Sequence, residues 1–253
     1  MTAPDKIGLY GGSFDPIHQG HLTTARAVMQ HFSLNTLYLL PNATPPHKQA
    51  LRLPYATRVQ MIKAALADAL DPRLQLSFLE QDSSVRHYTI ETLARFSAEH
   101  PHTTPFFIMG MDSLLTLDTW REPQRLIEYA HIVVLPRPHY ELSSLKPEIA
   151  AYVLPFLADK ELLHTIPENT RTQAQKLWEQ AQHSLDAKAA VESGHQYHLL
   201  SVQQCPPFDI SSTQLRALLA QDEAHLSVQQ VQTLQHALSP QVYALIKSKG
   251  LYR

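Results

Sequence analysis

The chain has 253 residues, 44% of them hydrophobic, and a formal net charge of −2. That is enough apolar material for one large domain or a domain with an appendage, and the near-neutral balance argues against a nucleic-acid polymer as the main ligand while leaving room for a local basic site on a small anion. The single cysteine, Cys205, excludes an intramolecular disulfide and fits a reducing compartment; with no signal-peptide pattern at the start and no apolar run of bilayer length, the expectation is a cytoplasmic protein without membrane partners.

In chain order, "KIGLY" is short, apolar and followed at once by Gly11-Gly12, which reads as a buried strand ending in a loop. "HLTTARAVMQHF" places Leu22, Ala25 and Met29 on one helical face. "TLYLLP" is a second strand closed by Pro41, and the loop "NATPPHKQALRLP" follows. In "YATRVQMIKAALADAL", Val59, Ile62, Leu66 and Ala69 recur at helical spacing. "RLQLSFL" gives a third strand, "TIETLARFSAEH" a helix, "PFFIMG" a fourth strand, "REPQRLIEYA" a helix with Pro123 in its first turn, and "HIVVLPRP" a fifth strand. Between Pro138 and Pro207, "SLKPEIAAYVLPFLADKELL" and "TRTQAQKLWEQAQHSLDAKAAVE" read as helical and "HQYHLLSV" as a last strand. "SSTQLRALLAQ" and "SPQVYALIKSKG" read as terminal helices, the latter opened by Ser239-Pro240 and stopped by Gly250.

Strands alternating with helices predict an α/β fold, a doubly wound, mostly parallel sheet of about five or six strands with helices on both faces and a C-terminal helical part. The continuous apolar runs FFIM and IVVL suit strands buried on both sides. The expected organisation is a single domain over 1–253 with a helical insertion over 139–196.

Four of the seven glycines fall in "GLYGGSFDPIHQGHL", beside His18 and His21. In an open parallel sheet ligands sit beyond the carboxyl ends of the strands, and free amides at a helix start suit phosphate. Gly11 and Gly12 let the backbone approach an anion closely. His18 and His21, three apart at a helix start, share a face, and imidazole N–H groups can donate to phosphate oxygens. The zinc pattern H-E-x-x-H, the Walker loop and G-x-G-x-x-G are all missing. An anion site accounts for the stretch; the plain alternative is a pair of histidines that only caps or lines the helix.

"GGSFDPIHQGHL" resembles the H-x-G-H signature of the nucleotidyltransferase superfamily, in the form used by bacterial nicotinate-nucleotide adenylyltransferases. "ISSTQLR", Ile210 to Arg216, resembles the superfamily's C-terminal I-S-S-T-x-[IL]-R motif, far along the chain and in the expected order. "PNATPPHK", "YTIETL", "GMDSLLTLDTW" and "VVLPRP" resemble segments of the same enzymes. The resemblance covers about 1–138 and 198–253. It implies a Rossmann-like fold and a reaction of ATP with nicotinate mononucleotide that gives deamido-NAD and pyrophosphate, with Mg²⁺ accompanying ATP.

By that resemblance His18, His21 and Arg216 carry the transfer. Gly11, Gly12, Ser13 and Phe14 lie under the nucleotides, and Gly110, Asp112, Ile210, Ser211, Ser212 and Thr213 complete the ATP site, Asp112 taking a ribose hydroxyl. His47 and Lys48 meet phosphate, Trp120 stacks on the pyridine ring, Thr89 holds the nicotinate carboxylate, and Arg137 adds positive charge. Asp15 reads equally as a turn residue before Pro16 or as a contact to substrate or Mg²⁺-bound water. No side chains stand out as a protein metal cage. Trp178 reads as packing within the extra helices, and Cys205 as inert. The 139–196 segment is longer than the family leads one to expect and suits a lid, an oligomer contact or a packed ornament; a homo-oligomer is among the expected partners. The rival readings are an adenylyltransferase for another phosphate such as phosphopantetheine, a nucleotide-binding regulator without activity, and a zinc protein built on His18, His21 and His47.

Overall fold

The computed structural model describes residues 3–43, 53–82, 84–205, 210–222 and 225–253. Among them the strands are β1 (Asp5–Gly12), β2 (Thr36–Pro41), β3 (Leu74–Leu76), β4 (Thr103–Gly110), β5 (His131–Leu135) and β6 (Tyr197–Leu199). The helices are α1 (Gln19–Phe32), α2 (Tyr55–Ala69), α3 (Thr89–Glu99), α4 (Met111–Leu114), α5 (Leu126–Tyr129), α6 (Pro147–Val153), α7 (Glu168–Ala181), α8 (Leu185–Ser193), α9 (Ser212–Leu219), α10 (Val228–Ala237) and α11 (Pro240–Lys249). The strands form one parallel sheet in the order β3-β2-β1-β4-β5-β6, a Rossmann-like α/β arrangement. Register is set by pairs such as Leu37 with Leu74, Phe106 with His131 and Ile132 with Tyr197. No described helix is long and apolar enough to cross a membrane.

By its contacts the chain groups into two compact units, Met1–Leu9 with Tyr88–Pro206, and Tyr10–His87 with Pro207–Arg253. In the second unit α1 buries Leu22, Ala25, Val28 and Met29, the stripe that helical spacing predicts. α2 buries Val59, Met61, Ile62 and Ala65 and packs on α11, whose Val242 and Ile246 are buried. Arg26 of α1 donates to the Ala69 carbonyl, 3.1 Å, which satisfies an end group of α2.

In the first unit β4 and β5 are buried almost end to end, from Phe106 to Met109 and from Ile132 to Leu135, as expected of strands covered on both faces. The 139–196 helices have their own apolar contacts. α6 packs on α7 through Ile149, Ala150, Val153 and Ala174, and the Trp178 ring meets Phe156 edge-on, centroids 5.5 Å apart. Trp178 is therefore packing, as its sequence context suggests.

Several elements differ from the sequence reading. The helix expected over Arg121–Ala130 is a 3₁₀ turn, Pro123–Arg125, followed by α5; Glu122 in the left-handed region, φ 47°, keeps the earlier residues out of it. β3 is shorter than "RLQLSFL", because the Ser77 hydroxyl accepts from the Leu79 amide and turns the chain. The run from Ser144 to Leu163 splits into α6 and two 3₁₀ turns, one of them holding Pro155. α7 stops at Ala181 with Gln182 as its C-cap, and Ser184 caps the next helix, so "TRTQAQKLWEQAQHSLDAKAAVE" becomes α7 and α8. α10 is an added helix.

Candidate functional site

The loop from β1 to α1 is the centre of the second unit's chemistry. Phe14 holds a positive φ of 49° and is fully buried. Its ring lies so close over Gly12 that a Cβ there would meet it at 2.9 Å, which explains glycine at that position. The same ring meets Tyr10 and His21 edge-on, with centroids 5.8 and 5.0 Å away. Phe14 thus supports the loop and one of the histidines from beneath.

His18 is the N-cap of α1 and His21 its third residue; the ring centroids are 3.9 Å apart. The His18 amide donates to Nδ1 of His21 at 3.2 Å. An acceptor at Nδ1 assigns the proton of the neutral ring to Nε2. The imidazole of His21 is thereby held as an Nε2–H donor at a helix start, where amides point out of the first turn, although that of His21 itself is met by the His18 carbonyl at 2.9 Å. Donors and the positive end of the helix dipole together suit an anion.

The second signature folds against this loop. Ser211 caps α9, accepting from the Gln214 amide at 3.3 Å, while its own amide donates to Gln214 Oε1 at 2.8 Å. The Ser212 hydroxyl donates to the Pro16 carbonyl, 3.1 Å. Arg216 donates through Nη1 to the Asp15 carbonyl, 2.7 Å, and through Nη2 to the Thr213 hydroxyl, 3.0 Å. The bond from Arg216 to Asp15 spans 201 residues of sequence and joins the two motifs. Ile210 precedes the cap, partly buried.

Asp15 itself is only 2% exposed, and its Oδ1 accepts from the Tyr252 hydroxyl at 2.6 Å. That bond anchors the loop through the Asp15 side chain. Burial, the Asp15 hydrogen bond and the Asp15 charge raise the Tyr252 hydroxyl's pKa above its ordinary value, against the opposing charges of Arg216 and Arg58. Sequence reasoning passed over Tyr252 and Arg58; neither stands in a motif. His47 and Lys48 lie outside the described residues.

The first unit holds the remaining expected residues. Gly110 ends β4, and a Cβ on it would run into the Asp112 carboxylate and lie 2.9 Å from Arg137 Nε. Asp112 and Arg137 are themselves an ion pair, Oδ1 to Nε 3.6 Å, after the ends of β4 and β5. Asp112 Oδ1 makes no hydrogen bond among the described residues. Trp120, half-buried, follows the 3₁₀ turn Leu117–Thr119 and meets Phe107 edge-on at 6.4 Å. Thr89 is the first residue of α3, partly exposed. Cys205 is buried.

Comparison with known proteins agrees with this arrangement. The cytidylyltransferase-like family matches residues 9–218. A protein of Shewanella baltica (strain OS195), named "Probable nicotinate-nucleotide adenylyltransferase", is 35% identical over 238 residues, covering 94% of this chain and 99% of its own. One of the same name from Idiomarina loihiensis is 31% identical over 249 residues, covering 96% and 98%. Among solved structures, Plasmodium falciparum nicotinic acid mononucleotide adenylyltransferase complexed with NaAD superposes with a TM-score of 0.65 at 18% identity, over 98% of this chain and 97% of the other, a likeness of fold. The chain belongs to the cytidylyltransferase-like family and, within it, to the nicotinate-nucleotide adenylyltransferases.

Proposed function

We propose that the chain transfers the adenylyl group of ATP to nicotinate mononucleotide, releasing pyrophosphate and forming deamido-NAD. The observation that carries this reading is the Arg216–Asp15 bond, which brings a cation and a capped helix start to the loop bearing His18 and His21. The substrate's phosphate is already a nucleophile and pyrophosphate a good leaving group. Catalysis then reduces to alignment and to charge stabilisation on the transferring group.

In this reading the Nε2–H of His21 donates to the α-phosphate as charge develops there. His18, Arg216 and the amides of Gly11, Gly12 and Ser13 hold phosphate oxygens, with His47 and Lys48. The Ser211, Ser212 and Thr213 stretch offers the β- and γ-phosphates the amides of Ser212 and Thr213 and the Thr213 O–H, since the Ser211 and Ser212 hydroxyls already donate to Gln214 Oε1 and the Pro16 carbonyl and Thr213 Oγ1 only accepts, from Arg216. Asp112 takes the ATP ribose. Trp120 stacks on the pyridine ring, and Thr89 and Arg137 favour its carboxylate over the uncharged carboxamide.

Among the described residues no group of three His, Cys, Asp or Glu side chains is placed to hold a metal ion. Mg²⁺ fits this site as the companion of ATP, bound by phosphate oxygens and water. It would supply positive charge that offsets the charge on the leaving pyrophosphate. The cytoplasm, where both nucleotides are found, is the proposed place of action.

The test mixes purified protein with ATP, Mg²⁺ and, separately, nicotinate mononucleotide, nicotinamide mononucleotide and phosphopantetheine, and measures pyrophosphate. Release is expected with nicotinate mononucleotide foremost. Release with phosphopantetheine alone would replace the substrate, and silence with all three would leave a nucleotide-binding regulator.

A further inference from the structure

Arg58, in the first turn of α2, has none of its surface exposed. Burying a guanidinium is costly unless its donors are met. Burial lowers its pKa, and the charge of Asp15, then those of Tyr55 and Tyr252, act in the opposite sense. The donors are met by main chain from two loops. Nη1 donates to the Ser13 carbonyl at 2.6 Å. Nη2 donates to Asn42 at 2.6 Å and Ala43 at 3.1 Å, and Nε to Leu53 at 3.3 Å. Ser13 lies in the β1–α1 loop. Asn42, Ala43 and Leu53 flank the segment after β2 that carries His47 and Lys48. The Asn42 amide adds a second tie between the loops, donating to the Gly12 carbonyl at 3.1 Å.

We infer that Arg58 is a positioning residue for adenylyl transfer, its planar fork locking the Ser13 loop and the Asn42 loop into one register. With none of its surface exposed, it acts through the loops rather than on a nucleotide. The inference rests on the reaction proposed above. A space-filling core residue would not need carbonyl partners on two loops. Lysine, a point charge on a flexible stem, cannot place donors on both loops with the same fixed fork. A loop displaced by about 1 Å costs on the order of 10²-fold in rate when the reaction depends on alignment.

The test compares wild type with Arg58→Lys in steady-state pyrophosphate release and in amide hydrogen exchange. The expected result is kcat lower by about 10–100-fold with both KM values within about threefold, and faster exchange confined to the amides of Ser13, Phe14, Asn42 and Ala43. A kcat within a factor of two of wild type overturns the role. So does faster exchange throughout the chain, α10 included, which marks a residue of general stability. A wild type that releases no pyrophosphate with any acceptor overturns the reaction, and the inference with it.

Discussion

The Tyr252 hydroxyl donates to Oδ1 of Asp15 at 2.6 Å, and the Asp15 carbonyl accepts from Arg216 at 2.7 Å. One loop residue is therefore held through its side chain by the turn after α11 and through its main chain by α9. Asp15 stands two residues before Ile17 and three before His18, so a shift in its position is passed along a short, buried stretch to the histidine pair.

Tyr252→Phe keeps the ring and removes the donor. A hydrogen bond to a charged acceptor is worth about 1.5–3 kcal/mol, and urea unfolding should show a loss of that order. Turnover should fall severalfold with the KM for ATP little changed, since the hydroxyl acts through the loop. Unchanged stability and turnover together would show that the loop is held without it.

His21→Ala should lower kcat by about 10²–10³, the usual effect of removing one donor aimed at developing charge. Its contribution depends on orientation, which the His18 amide and the Phe14 ring supply. Activity within a factor of two of wild type, measured by pyrophosphate release, would contradict the role.

Much of this was legible in the sequence because it depends on local chemistry. Ser211 and Gln214 form a capping box that the letters spell out, and the paired histidines sit where a strand gives way to a helix. α10 was legible by the same signal, since Ser227 and Gln230 form another capping box, and it went unread. The helix expected over Arg121–Ala130 failed because the left-handed Glu122 sets where the chain can start to coil, and no propensity reports that. Arg58 and Tyr252 were beyond reading. An arginine in an amphipathic helix is ordinarily solvated, and apart from Leu53, five positions from Arg58, the partners of both residues are loop groups 15 to 237 positions away. The motifs show in sequence; what holds the motifs in place is tertiary.

Trp120→Ala should raise the KM for nicotinate mononucleotide about tenfold, in line with stacking energies of about 1–3 kcal/mol, and leave the KM for ATP near its wild-type value. The half-buried ring has one edge on Phe107, so some loss of stability accompanies the change. Equal rises in both KM values, or none, would return the residue to packing alone.

A pH effect on stability follows from the start of β5. His131 stacks on Phe106, centroids 4.7 Å apart, and its Nδ1 accepts from the Gln196 amide at 3.1 Å, with His198 Nε2 3.3 Å away. His195 lies edge-on at 4.9 Å. Burial first, then the charges of His195, His198 and Lys6, push the His131 pKa from 6.5 down to about 4; burial lowers His195 as well. The unfolded chain thus binds protons near pH 6.5 that the folded chain refuses until near 4, and stability falls as pH drops through that window. Urea midpoints should decline from pH 7.5 to 5, and His131→Gln, which cannot take up the proton, should flatten the decline. A wild-type midpoint constant over that range, or an equally steep decline in the variant, would show that this cluster does not govern the acid limb.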